Sequence, residues 1–155
     1  MQVSLSSLPR KISAVAVCAL LAATYTAVSA RSFLADVFAQ HPDLKNLQRA
    51  ISLEPGNADY RFRLGRYFSM VEQSPQQAIE TLKSAVALNP HEARYWLDLA
   101  AAYQLMGNTG SQRDAVEHAI VASPTTPDVA WEAGSFYIVQ GDNDLQVSVQ
   151  DDRRL

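Results

Sequence analysis

The stretch "HEARYWLD", His91 to Asp98, crowds a histidine, two carboxylates, an arginine, a tyrosine and a tryptophan onto two helical turns. A His-Glu pair at this position is how a zinc protease helix begins, with two imidazoles one turn apart on the metal and the glutamate as general base. That chemistry needs a second histidine four residues after the first, and Tyr95 stands there. His91 follows the turn residue Pro90 and reads as a solvated first-turn residue, and His118, one turn after Asp114, has the spacing of an ordinary surface pair. His41 precedes Pro42 in a linker. "AGSFY", Ala133 to Tyr137, lacks the G-x-S-x-G spacing that exposes a nucleophilic serine. Gly107 to Gly110 reads as a turn between helices and does not match a phosphate-cradling loop. The lone cysteine, Cys18, lies in an apolar run, so neither a disulfide nor a cysteine metal site can be built within one chain. We therefore expect no catalytic residue, no metal and no cofactor, and the elements that carry these residues have to be read for packing instead.

A chain of 155 residues that is 48% hydrophobic, with a formal charge of -3, holds one domain and has neither the composition of disorder nor the basic surface of a nucleic-acid binder. Its amino end stands apart. Arg10 and Lys11 precede the uncharged run Ile12 to Ala30, which is long enough to span a bilayer. The basic flank, apolar centre and "AVSA" end also fit a cleavable signal peptide. Basic residues ahead of the run put the amino terminus in the cytoplasm and the rest of the chain outside it. We expect residues 1–30 to be an anchor, the alternative being a signal cleaved near Ala30 that leaves a secreted or periplasmic protein.

Beyond Arg31 the chain is a series of apolar helical periods punctuated by proline. Pro55, Pro90 and Pro124 stand 35 and 34 residues apart, and residues between them fall into register. Leu64, Leu99 and Ala133 coincide, followed by Gly65, Ala100 and Gly134, and then by Phe68, Tyr103 and Tyr137. In the helices before each proline, Leu47, Leu82 and Val116 coincide, as do Ala50, Ala85 and Ala119. The first unit carries one extra residue near Ser74 and Pro75, and Arg61 replaces its large apolar residue.

This pattern resembles the tetratricopeptide repeat family, with its 34-residue helix-turn-helix unit, from about Asp43 to Asp142, and Ala93 to Pro124 matches best. The resemblance implies an all-α helix-turn-helix hairpin solenoid over residues 31–142, after the amino-terminal hydrophobic helix and before an irregular tail, residues 143–155. Trp96, Leu99, Ala100 and Tyr103 share one helical face and should pack inside the hairpin, small residues there letting the helices approach. "RSFLADVFAQ", Arg31 to Gln40, has Phe33, Leu34, Val37 and Phe38 at helical spacing and should supply the missing first helix against Asp43 to Leu53.

Stacked units of this kind curve into a concave groove lined by their first helices. The register assigns Asp59, Phe62, Arg66, Ser69 and Met70 to that groove from the first unit. The second unit contributes Arg94, Leu97, Ala101, Gln104 and Leu105, and the third Asp128, Trp131, Ser135, Ile138 and Val139. Phe62, Leu97 and Trp131 form one apolar row beside Arg66 and Arg94, which suits a protein or peptide segment with hydrophobic anchors and an acidic group. The bland alternative is that Leu97 and Trp131 only cover neighbouring helices. Family members that clamp an acidic carboxyl-terminal peptide carry Lys and Asn where Phe62 and Arg66 stand, so that specificity is not implied.

The last helix, about Pro127 to Gln140, has no second helix and is apolar around much of its circumference, so it should seek a cover: a longer repeat domain beyond this sequence, another protein or a second copy, or the tail. The expected function is a non-catalytic interaction scaffold tethered to a bacterial inner membrane with its repeats on the extracytoplasmic side. The alternatives are a regulatory subunit of an envelope or polysaccharide assembly complex and a homo-oligomeric structural module that associates through the last helix.

Overall fold

The computed structural model describes the backbone of residues 8–41 and 43–152 and the side chains of 12–41 and 43–141. Seven helices follow one another, with no strand among the described residues: α1 Leu8–Ala39, α2 Leu44–Leu53, α3 Ala58–Met70, α4 Pro75–Leu88, α5 Ala93–Leu105, α6 Thr109–Ala122 and α7 Pro127–Asp152. Each end has a local cause. Asp43, Asn57 and Asn108 cap α2, α3 and α6 by accepting the backbone amides of Asn46, Asp59 and Ser111, and Pro75 starts α4 with its fixed φ. Gly107 ends α5 in the left-handed region at φ 67°.

The helices form antiparallel hairpins, α1–α2, α3–α4 and α5–α6, stacked side by side, with α7 added as a further first helix. The residues in repeat register are buried: Leu47, Leu82 and Val116, Ala50, Ala85 and Ala119, and Leu64, Leu99 and Ala133. Leu47 and Leu82 are sealed completely, a burial worth about 1.5–3 kcal/mol for each side chain. Alanine and glycine set the closeness of the helices. A Cβ placed on Gly65 would lie 2.6 Å from Leu82 Cγ, so α3 and α4 touch through a glycine.

Two expectations are corrected. First, the segment Arg31 to Gln40 does pack as the missing first helix, but through Ala35 and Ala39, with Val37 and Phe38 half-buried; Phe33 and Leu34 are exposed. Small residues let the helices approach, and the large ones at the other angle miss the contact. Second, α7 does not stop near Gln140: the helix runs to Asp152, so the tail expected to be irregular is helical over most of its length. Tyr137 keeps the register of Phe68 and Tyr103 and is 45% exposed, with no second helix beside α7 among the described residues.

The α1 helix joins two environments. Residues 12–31 are exposed throughout, and Ile12–Ala39 is long and apolar enough to cross a bilayer, a condition that a signal sequence at this position also meets. Its last two turns are held by Arg31, whose Nε donates to the Leu53 carbonyl, and by Arg63 Nη1, which donates to the Ala39 carbonyl at 3.3 Å.

Candidate groove and its polar centre

The first helices α3, α5 and α7 each show three faces, one more than amphipathic periodicity suggests. One packs in the hairpin and one borders the groove. The third, carried by Tyr60, Tyr95 and Val129 in the same register, is buried between successive units. Tyr95 meets Phe62 there at 4.7 Å between ring centres. Phe62, expected to line the groove, is therefore only 5% exposed. The aromatic row Phe62, Leu97 and Trp131 does not form a continuous exposed stripe: Phe62 is covered by Tyr95, Leu97 is half-buried against the Ala93, Ala119 and Val129 cluster, and Trp131 is 75% exposed.

What the groove holds at its centre is polar. The guanidinium carbons of Arg66, one turn on in the same helix, and of Arg94 on α5 lie 5.7 and 5.8 Å from the Phe62 ring centre, at cation–π range. Arg66 Nε reaches Asp98 Oδ2 at 3.4 Å, while Arg94 Nε donates to Glu92 Oε1 at 2.9 Å. Burial pushes the Asp98 carboxyl above the ordinary aspartate range; Arg66 and Arg94 pull it back, and Glu132 of α7 adds to the rise. Glu92, by contrast, is held low chiefly by its hydrogen bond from Arg94. A half-buried, partly desolvated carboxylate between two arginines is the strongest electrostatic feature of this face.

The repeat register left Asp98 out of the groove; a signal for its place existed, since Asp98 stands one helical turn after Arg94 on α5. Asp59 is spent on Arg63, at 2.7 Å. Met70 lies in solvent, its sulfur 3.8 Å from Arg66 Nη2, and Leu105, Asp128 and Ile138 are exposed. Leu97, Ala101, Gln104 and Ser135 do come together, on the wall of an open cavity of about 290 Å³ between α5, α6 and α7, with Glu132, Phe136 and Val139 opposite. Its cause is a size change in register: Phe136 occupies the position of Ala102, which lets α5 sit close on α4, so α7 packs more sparsely on α6.

The histidines carry no visible chemistry. His91 is exposed in the turn before α5, and His118 is stacked on Trp96 at 4.4 Å between ring centres. Among the described residues no group of three or more His, Cys, Asp or Glu side chains is close enough to hold a metal ion.

No family model matches the sequence, and no curated protein is similar enough to count as a relative. Solved structures share its fold. MamA is 25% identical with a TM-score of 0.61, the match covering 83% of this chain and 77% of that one. The first tetratricopeptide domain of Spaghetti (RPAP3), solved with an HSP90 peptide, is 15% identical with a TM-score of 0.62 over 71% of this chain and 95% of that one. The Arabidopsis OM64 tetratricopeptide domain is likewise 15% identical with a TM-score of 0.62, over 69% and 97%. Hairpin stacking, the 34- to 35-residue register and these structural likenesses agree: the chain is a tetratricopeptide-like repeat protein.

Proposed function

We propose that the chain is a non-catalytic scaffold, tethered to a membrane by the first part of α1, that binds an extended segment of another protein in the groove of α3, α5 and α7. The observation that carries this is the polar centre: Arg66, Arg94 and Asp98 meet across α3 and α5, and Glu132, which raises the Asp98 carboxyl from α7, lines the cavity that also has Leu97, Ala101 and Gln104 on its wall. Buried area from an apolar anchor would supply affinity, and the charged cluster would select register and orientation. Solved with a peptide bound, the Spaghetti domain sets a precedent for a segment in this fold, although its groove chemistry is not carried over.

The tether reading rests on α1, exposed over residues 12–31 and charge-free from Ile12 to Ala30. Extracytoplasmic repeats follow from Arg10 and Lys11 ahead of that run. Retention of the segment is favoured over cleavage near Ala30 because the helix continues unbroken into its packed part.

A photo-crosslinking residue at Ala101 or Arg94 should capture one defined protein, and the same probe at Glu117 or Arg113 on the outer helix α6 should not. Charge reversal by Arg66→Glu is expected to abolish the capture with helix content unchanged. Equal capture from both faces would sink the groove reading. A second reading, self-association through α7, is favoured by the exposure of Trp131, Ile138 and Val139. Light scattering decides it: a strict monomer excludes that module.

A further inference from the structure

We infer that the repeats lie on their side against the bilayer, with the proline turns toward the lipid headgroups and the groove running along the surface, so that the segment bound is the juxtamembrane part of another membrane protein. This inference rests on the tether proposed above and goes beyond it, because a tether alone leaves orientation free.

Orientation is set by the absence of any joint between span and repeats. α1 is a single helix from Leu8 to Ala39, without proline or glycine from Ile12 onward. Sharp kinks arise almost always at Pro, Gly, a π-bulge or an inserted group, so its two halves move together. Its outer part is pinned to the first hairpin at two levels. At the lower level Arg31 donates to the Leu53 carbonyl and Ser32 hydrogen-bonds the Glu54 carboxylate, which is held below the ordinary glutamate range by Ser32, Asn57 and Arg31. At the upper level Arg63 donates to the Ala39 carbonyl. Between the two levels Ala35 and Ala39 are buried against α2 and α3.

Arg31 follows the last residue of the uncharged run, so the end of α2 and the turn after it, Glu54 to Asn57, stand at headgroup level. Antiparallel succession then puts the turns around His91 and Thr125 on the same edge, and those around Gln73 and Asn108 on the far one. At about 1.5 Å per residue, the 13-residue helices α3 and α5 are roughly 20 Å long. The groove therefore lies within about that distance of the headgroups, its long axis parallel to the surface. On the near edge Glu92 is paired with Arg94, Asp59 with Arg63, and Glu54 takes hydrogen bonds from Ser32 and Asn57, while Asp128 is exposed. A partner segment confined to the same two dimensions gains effective concentration, which a freely diffusing one lacks.

The test uses the full chain, with Cys18→Ser, inserted in phosphatidylcholine nanodiscs that carry nickel-chelating headgroups. Nitroxides on Gly56→Cys and His91→Cys are expected to relax several-fold faster through headgroup nickel than those on Gln73→Cys and Asn108→Cys. Equal or reversed relaxation in inserted protein overturns the orientation while leaving the tether intact. Release of the chain by alkaline carbonate overturns the tether itself, and the orientation with it. A flexible Gly-Ser insert between Ala30 and Arg31 should erase the difference; its survival would show that the rigid helix is not the cause. For the partner, photo-crosslinks from Ala101 in whole membranes should map to residues adjoining a membrane span, and mapping to a soluble protein overturns that assignment.

Discussion

Arg61 and Trp96 stand 35 residues apart, in the same place of successive repeats, and make the same hydrogen bond. Arg61 Nη2 donates to the Pro55 carbonyl at 2.9 Å and Trp96 Nε1 to the Pro90 carbonyl at 2.8 Å. The arginine that breaks the repeat signature therefore reproduces its polar contact, closing the turn before the helix. It does so at a cost, since Arg61 Nε is buried without a hydrogen-bond partner.

Replacing that arginine by the residue of the next unit should stabilise the chain. In Arg61→Trp the carbonyl keeps a donor and the orphaned Nε disappears, for an expected gain of about 1 kcal/mol. Urea denaturation reads it directly, and an unchanged or lower midpoint would mean that the surrounding α2, α3 and α4 cannot seat an indole.

The turn that carries the extra residue offers a second comparison. Gln73 has φ 50° and, counted back from the following helix, stands in the place of Gly107, whose φ is 67°, so the α3–α4 and α5–α6 turns each use one left-handed residue. Only glycine adopts that region freely; other residues give up roughly 1–2 kcal/mol. Gln73→Gly should therefore raise the unfolding free energy by about 1 kcal/mol, less the entropy of a freer unfolded chain, and Gly107→Ala should lower it. Matching changes of the same sign in the two variants would contradict the shared role.

Glycines at equivalent helix positions should respond in opposite directions to one methyl group. The Gly65 Cβ position lies 2.6 Å from Leu82 Cγ, whereas Gly134 has nothing within 4 Å. Overpacking makes Gly65→Ala cost about 1–3 kcal/mol, while Gly134→Ala should gain about 0.5–1 kcal/mol from helix propensity alone. Calorimetry of the two variants compares them, and a destabilised Gly134→Ala would reveal a helix already seated beside α7.

Asp98 is predicted to trade stability for binding. Its carboxyl titrates above the ordinary aspartate range because burial disfavours the charge, so the folded state binds this proton more tightly than the unfolded chain does. Stability from this group is present below the unfolded value, about pH 4, and is lost as pH rises through the folded one. Asp98→Asn should therefore flatten that part of the melting-temperature profile and melt no lower than the parent at neutral pH, yet fail to crosslink from Ala101. If it melts markedly lower at neutral pH, the pairing with Arg66 outweighs the burial.

Much of the fold was legible because it depends on local rules repeated at a fixed interval. Proline spacing, small residues at Gly65, Ala100 and Gly134, and the Leu47, Leu82 and Val116 row fix which helices pair and how closely, and every one of those rows but the glycine of α7 is buried as read. Periodicity could assign each first helix an inner and an outer face. It could not supply the third face, because the packing of Tyr60, Tyr95 and Val129 depends on how far one hairpin is rotated against the next. That rotation hid Phe62 beneath Tyr95, brought Arg94 of one helix over a ring of another, and set Asp98 where burial and two guanidiniums compete for its charge. The same holds at the amino end: an apolar run can announce a long helix, but only the contacts of Arg31, Ser32 and Arg63 with neighbouring elements join the end of that helix to the repeats. Sequence determined the units, since each is stabilised by residues near one another along the chain; the tertiary structure decided the groove, since its members meet only across separate helices.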